Sequence, residues 1–179
     1  MIVCVIGMPG AGKSQVADVL RRMDFRTYEL GDVVRGMMKE QDIEITPESL
    51  RKFSIVARRK YGYDYEARRL IKKINLKEGN IAIVGFRTKA NLDFIKKHAK
   101  VTSIAVIAPA KIRYLRLSSR RRPDDPKTMT EFMRQRDRKE IRFGILKVIK
   151  GADYVIANTG TVADLKKSVQ MVMDDAGLV

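Results

Sequence analysis

Short apolar runs alternate with longer amphipathic stretches along this chain of 179 residues. Ile2–Ile6 is a continuous, mostly β-branched run, the pattern of a strand buried on both faces. Residues 26–30, 81–84, 103–107 and Tyr154–Ala157 carry similar runs and predict four further strands, the last opened by Asp153. Between them, apolar positions recur at helical spacing. This predicts helices over residues 12–23, 32–40, 64–74, 89–97, 110–120, 129–149 and 162–176, with Gly144 as a break in the long one. Another opens at Thr46-Pro47-Glu48, where a capping hydroxyl, a first-turn proline and an acid follow one another.

Strands separated by helices predict an α/β fold with a five-stranded parallel sheet flanked by helices. Its length suits one domain, residues 1–179. Residues 32–75 are more than one crossover needs and read as a helical insertion. Residues 119–129 hold the polar, proline-bounded stretch Arg121-Arg122-Pro123-Asp124-Asp125-Pro126, which continues neither neighbouring helix and reads as a lid loop.

Composition narrows the class. With 45% hydrophobic and 32% charged residues, the chain is neither disordered nor collagen-like. No apolar run is long enough to span a bilayer, so no membrane partner is expected. The first apolar run has no basic leader and enters a glycine motif directly, unlike a signal peptide. The single cysteine, Cys4, allows no intrachain disulfide and reads as a core residue; a cytoplasmic location is expected. Lys and Arg number 37 against 21 acids, a net +16 that favours a polyanionic partner: nucleotide, nucleic acid or anionic surface. His98, among Lys96, Lys97 and Lys100, reads as a surface residue, and no His/Cys cluster suits zinc.

The strongest chemical signal is Gly7-Met8-Pro9-Gly10-Ala11-Gly12-Lys13-Ser14, a G-x-x-x-x-G-K-S spacing between a strand and a helix. Its glycines let successive N–H groups point inward at phosphate oxygens, and the following helix adds its positive end. Lys13 reaches the outer phosphates and the Ser14 hydroxyl can ligate Mg²⁺. The donor-binding residues are accordingly Gly7, Pro9, Gly10, Ala11, Gly12, Lys13, Ser14 and Gln15, with ATP and Mg²⁺ as cofactors.

A second anion site is expected on the same rim. Arg35 begins a helix just after a strand, and Arg87 directly follows the third strand. Ligands of parallel sheets bind beyond the strands' carboxyl ends, and a guanidinium fork matches a phosphate dianion. Two such forks opposite a phosphate loop imply an acceptor that carries its own phosphate. Asp32 is the candidate base or contact to Mg²⁺-bound water; Glu29, placed within the strand, is less well positioned. Arg113, Arg116 and Arg120 share one helix face, and Arg134 and Arg138 lie four apart on the next helix, so a closing lid could bring arginines onto the transferring charge. Tyr61, Tyr63 and Tyr65 could line a base pocket but are assigned to packing, and Arg58 and Arg59, which could face the acceptor pocket, are given no role.

The phosphate loop, Leu30-Gly31-Asp32-Val33-Val34-Arg35 and Val84-Gly85-Phe86-Arg87-Thr88 resemble motifs of the adenylate-kinase-like nucleoside monophosphate kinases, in an archaeal-type, adenylate-kinase-related group. Residues 113–138 resemble that family's lid. Residues 152–160, including Asn158 and Gly160, are similar to the adenine-side loop of several small P-loop kinases, dephospho-coenzyme A kinase among them. The resemblance implies a P-loop NTPase fold whose insertion, residues 32–75, binds the acceptor. It implies acceptor contacts by Asp32, Arg35 and Arg87, and donor contacts by Arg116, Asn158 and Gly160. Catalytic roles fall to Lys13, Asp32, Arg120 and Arg134, and AMP is the type of acceptor implied. The chain departs from the pattern at Val84, where relatives carry an acid that organises Mg²⁺; Ser14 and Asp32 are left to hold the metal. Two other functions fit the residues. One is a hydroxyl kinase similar to dephospho-coenzyme A kinase. The other is a nucleotide-binding ATPase with an RNA or ribosome partner and little transfer activity.

Overall fold

Strand β1, Ile2–Ile6, is the middle of the sheet and is buried along its whole length. The computed structural model describes residues 1–77, 79–120 and 128–178. Around β1 lie β2 (Phe25–Glu29), β3 (Asn80–Phe86), β4 (Thr102–Ile107) and β5 (Tyr154–Ala157), in the order β2-β3-β1-β4-β5, with every pairing parallel. Parallel neighbours require crossovers. These are α1 (Lys13–Arg22), the trio α2 (Leu30–Lys39), α3 (Pro47–Tyr61) and α4 (Tyr65–Ile71), then α5 (Lys89–His98) and α6 (Ala110–Arg120). Four short pieces follow: α7 (Met129–Glu131), a π-helical turn (Phe132–Asp137), α8 (Arg138–Arg142) and α9 (Ile145–Lys150). The last helix is α10 (Val162–Asp175).

The alternation of side chains in β1 divides the core. Ile2, Cys4 and Ile6 face a cluster with Val34, Met37 and Leu70, while Val3 and Val5 face one with Leu20, Leu165 and Val169. Burial raises the Cys4 thiol far above its usual pKa, so it packs as an apolar residue. The sheet is thus covered by α1 and α10 on one face and by α2, α4, α5 and α9 on the other. Among the described residues no helix is long and apolar enough to cross a membrane.

Several boundaries move from those the sequence predicts. Leu30 opens α2 instead of closing β2, because Leu30, Val33, Val34 and Met37 form one buried helical stripe. The second strand is therefore Phe25–Glu29, and the helix expected from residue 32 starts two residues earlier. The helix expected over 64–74 is Tyr65–Ile71, with Asp64 at its N-cap. The long helix expected over 129–149 is interrupted twice, by the π-helical turn and by Gly144, whose φ of 84° sits between α8 and α9. Thr46 does cap α3, accepting from Ser49 N at 3.1 Å in a reciprocal capping box.

Two features aim the carboxyl edge of the sheet. The β1–β3 register passes from Val5↔Val84 to Ile6↔Phe86, so Gly85 is an extra residue, a bulge with φ 91° that turns the chain into Arg87. At the other side, Asp153 accepts from Ser103 N (2.7 Å) and Ser103 Oγ (2.5 Å), fixing the start of β5 against β4.

Candidate nucleotide-binding site

The loop between β1 and α1, residues 7–12, wraps around the side chain of Lys13. Lys13 Nζ donates to the carbonyl oxygens of Gly7 (2.9 Å) and Met8 (3.1 Å). Gly12 has φ 106°, and a Cβ there would collide with the Asn158 side-chain amide, so only glycine fits. Ser14 is exposed in the first turn of α1, which contains no acid. Both features leave that helix end open to an anion.

Asn158, just past β5, holds this loop from outside. It is 3% exposed, and its Nδ2 donates to Ala11 O at 2.8 Å. Its Oδ1 accepts from Arg116 Nη2 at 3.2 Å, and Arg116 Nη1 approaches Ala11 O at 3.5 Å. Arg116 and Asn158, expected to contact the donor nucleotide, are therefore also a brace on the phosphate loop. Gly160 is exposed beside the N-terminal capping box of α10, where Thr161 and Asp164 bond reciprocally.

Arg113 is a second brace. Although expected on the same helix face as Arg116, it is buried: its Nη1 and Nη2 grip Asp137 at 2.8 and 2.5 Å. Its Nε reaches Ala108 O at 3.0 Å, and Nη1 also reaches Pro9 O at 3.3 Å. Its guanidinium stands 5.1 Å from the centre of the Phe132 ring. One arginine thus joins the phosphate loop to the π-helical turn. The backbone of Arg120 ends α6, but its side chain and residues 121–127, the heart of the expected lid loop, lie outside the described residues. Arg134 and Arg138 are exposed in the π-helical turn and at the start of α8.

Charge gathers around Lys13. Burial brings its ammonium down to a pKa of about 8, Arg87 and Arg113 push the same way, and Glu140 and Glu29 oppose them. Arg87 lies 3.6 Å from Glu140, the former half-exposed and the latter nearly buried. Glu29 ends β2 level with Val84 of β3. The acids whose charge reaches Lys13 are therefore Glu29 and Glu140; Asp32 instead pairs with Arg35 at 2.7 Å, three residues along α2. The structure thus brings together Lys13, Arg87, Arg113, Glu29 and Glu140, and separately Ala11, Arg116 and Asn158. It joins Arg35 to Asp32 along α2. Sequence reasoning missed Asp137 and Glu140, although two acids at i, i+3 within a strongly basic stretch are a signal of paired arginines.

Comparison with known proteins follows this geometry. The AAA domain family matches residues 3–141. A UPF0200 protein of Staphylothermus marinus is 40% identical over 163 residues, 91% of this chain and 86% of its own length. The chain belongs to the UPF0200 family. A second UPF0200 protein, from Pyrococcus horikoshii, is 36% identical over 97% of this chain and 96% of its own length. Among solved structures, the shikimate kinase of Aquifex aeolicus superposes with a TM-score of 0.64 at 20% identity, covering 99% of both chains. At that identity the likeness shows the fold, a P-loop kinase-like one. The UPF0200 chain thus has the predicted sheet and helical layers.

Proposed function

We propose that the protein is an ATP-dependent phosphotransferase that moves the γ-phosphoryl group to a phosphate-bearing acceptor of the nucleoside monophosphate type, in the manner of adenylate-kinase-like enzymes. The observation that carries this reading is the placement of Arg87 directly beyond the end of β3, whose last residue Phe86 pairs with Ile6, the residue that leads into the phosphate loop. Lys13 already serves the donor's phosphates, so a further guanidinium across the rim suits a second anion.

Backbone amides of residues 7–12, the Lys13 ammonium and the α1 end hold the donor's phosphates. Mg²⁺ fits this donor set, because it needs few protein ligands and Ser14 offers a hydroxyl beside them; it would neutralise charge on the phosphates. A phosphate acceptor is already anionic and needs no general base, so alignment and charge stabilisation carry the chemistry. Arg87 and Arg35 orient the acceptor, with Asp32 holding Arg35 in the free protein. Arg116, Asn158 and Gly160 flank the donor, and catalytic roles fall to Arg120, within the lid of residues 119–129, and to Arg134, in the π-helical turn that follows. Residues 32–75 form the acceptor lobe of a single domain. Replacement of Lys13 by alanine tests the reading: γ-phosphoryl turnover is expected to vanish, and unchanged turnover would contradict it.

A second reading rests on a different observation. Residues 51–73 hold nine Lys or Arg against Asp64 and Glu66, a net +7 of the chain's +16. They border a cavity of ≈ 190 Å³ lined by Tyr61, Tyr65, Arg68, Arg69 and Lys72. A basic surface with exposed tyrosines suits single-stranded nucleic acid, as in an ATPase with an RNA partner. That reading requires RNA affinity that falls steeply with salt.

A further inference from the structure

Beneath the C-terminal half of α3, three polar atoms are buried and unbonded: Arg58 Nε, Arg58 Nη1 and the Tyr65 hydroxyl. Arg58 and Tyr65 are each 2% exposed. Buried donors are nearly always bonded, so an orphan set of this kind calls for a partner outside the atoms of the chain itself. The set is rigidly presented. Arg58 Nη2 donates to Glu66 Oε1 at 2.7 Å, Asn91 Nδ2 holds the other Glu66 oxygen, and Asn91 Oδ1 accepts from Ala67 N at 3.0 Å. One guanidinium nitrogen is thus anchored while two remain unused. Burial raises the Tyr65 pKa and the nearby Glu66 carboxylate adds to it, although no partner meets the hydroxyl at full hydrogen-bond geometry.

We propose that Arg58 and Tyr65 form, with Arg87, the subsite for the acceptor's anionic group, a phosphate monoester that accepts from the guanidinium and the phenol. This deepens the kinase reading above and rests on it. Thr88, the residue after Arg87, donates its hydroxyl to Tyr63 O at 2.7 Å and accepts from Asn91 N, while Ile6, which leads into the phosphate loop, pairs with Phe86. The end of β3 thus lies between this set and the phosphate loop, and the charge of Arg87 acts on both Tyr65 and Lys13. The Phe143 ring covers the guanidinium at 4.5 Å and is itself half-exposed. It precedes Gly144, whose φ of 84° separates α8 from α9. Rotation of Phe143 about this break admits the anion, and Glu140, three residues earlier, yields Arg87 to it. No proton need move, because Arg58 and Arg87 stay cationic at working pH and the phenol donates in its neutral form.

The test is calorimetric titration of the full chain, its donor site filled with a non-hydrolysable ATP analogue, with AMP, GMP, CMP and UMP in turn and with the matching nucleosides. Tyr65→Phe is expected to weaken monophosphate binding about tenfold, the loss of one hydrogen bond to a charged group. Its Tm is expected to be unchanged or higher, because the lost hydroxyl was unbonded. Arg58→Lys, which keeps the charge beside Glu66 but loses the spare nitrogens, is expected to weaken it further, with nucleoside affinity unaltered. If the wild-type protein binds monophosphates and Tyr65→Phe binds them equally well, this subsite is wrong while the kinase reading stands. If the wild-type protein binds no monophosphate better than its nucleoside, both fail.

Discussion

Asn158 donates from Nδ2 to the carbonyl oxygen of Ala11 at 2.8 Å, joining the end of the last strand to the phosphate loop across 147 residues of chain. The amide is buried, and its oxygen is held by Arg116, so the loop's outer wall has a fixed shape before any phosphate arrives. Asn158→Ala would leave the Ala11 carbonyl with the long contact from Arg116 Nη1, at 3.5 Å, in place of its short bond. The expected cost is about 1–3 kcal/mol of stability in a denaturant titration, with weaker ATP affinity in calorimetry. Unchanged stability and affinity would show that the loop keeps its shape unaided.

Lys13 supplies a pH signature. With its pKa lowered to about 8, the amine is partly deprotonated in the free protein above that pH. A bound polyphosphate favours the ammonium, so binding takes up protons at pH 8–9. Calorimetry of ATP binding at pH 8.5 in buffers of different ionisation heat should show this uptake. Arg87→Gln removes a cation that depresses Lys13, raises its pKa and shrinks the uptake. Heats independent of buffer would contradict the placement of these charges.

Arg113 and Asp137 form a buried, two-pronged ion pair, with side chains 7% and 5% exposed. Asp137→Ala leaves the guanidinium, among the described residues, with the carbonyls of Ala108 and Pro9 and the face of the Phe132 ring but no counter-charge, an expected loss of about 3–5 kcal/mol. Replacing both partners, Arg113→Met with Asp137→Leu, should recover much of that stability, because no buried charge is then left alone. ATP affinity should not recover with it, since the tie to Pro9 is gone. A double variant no more stable than Asp137→Ala would show that the pair contributes net energy beyond satisfying itself.

The sheet was legible because parallel strands buried on both faces write themselves as short apolar runs, as Ile2–Ile6 does. The phosphate loop was legible because its chemistry depends on backbone shape, which Gly12 and Lys13 encode locally. The surroundings of Lys13 were not. Asp137 and Glu140 reach their arginines from within and just after a π-helical turn that apolar periodicity does not reveal. Arg58 stands among neighbours of the same charge, and nothing local in the sequence marks it as buried. Its burial depends on Glu66 and Asn91, the latter 33 positions further along the chain. Val84 is level with Glu29 one strand away, a cross-strand neighbour visible only once the register is known.

The most direct test is a transfer assay with γ-labelled ATP and Mg²⁺, run over nucleoside monophosphates, dephospho-coenzyme A, single-stranded RNA and water as acceptors. The account predicts label in a nucleoside diphosphate, lost in Lys13→Ala and much reduced in Arg87→Gln. Label released only as inorganic phosphate, or found only on a hydroxyl acceptor, would contradict it.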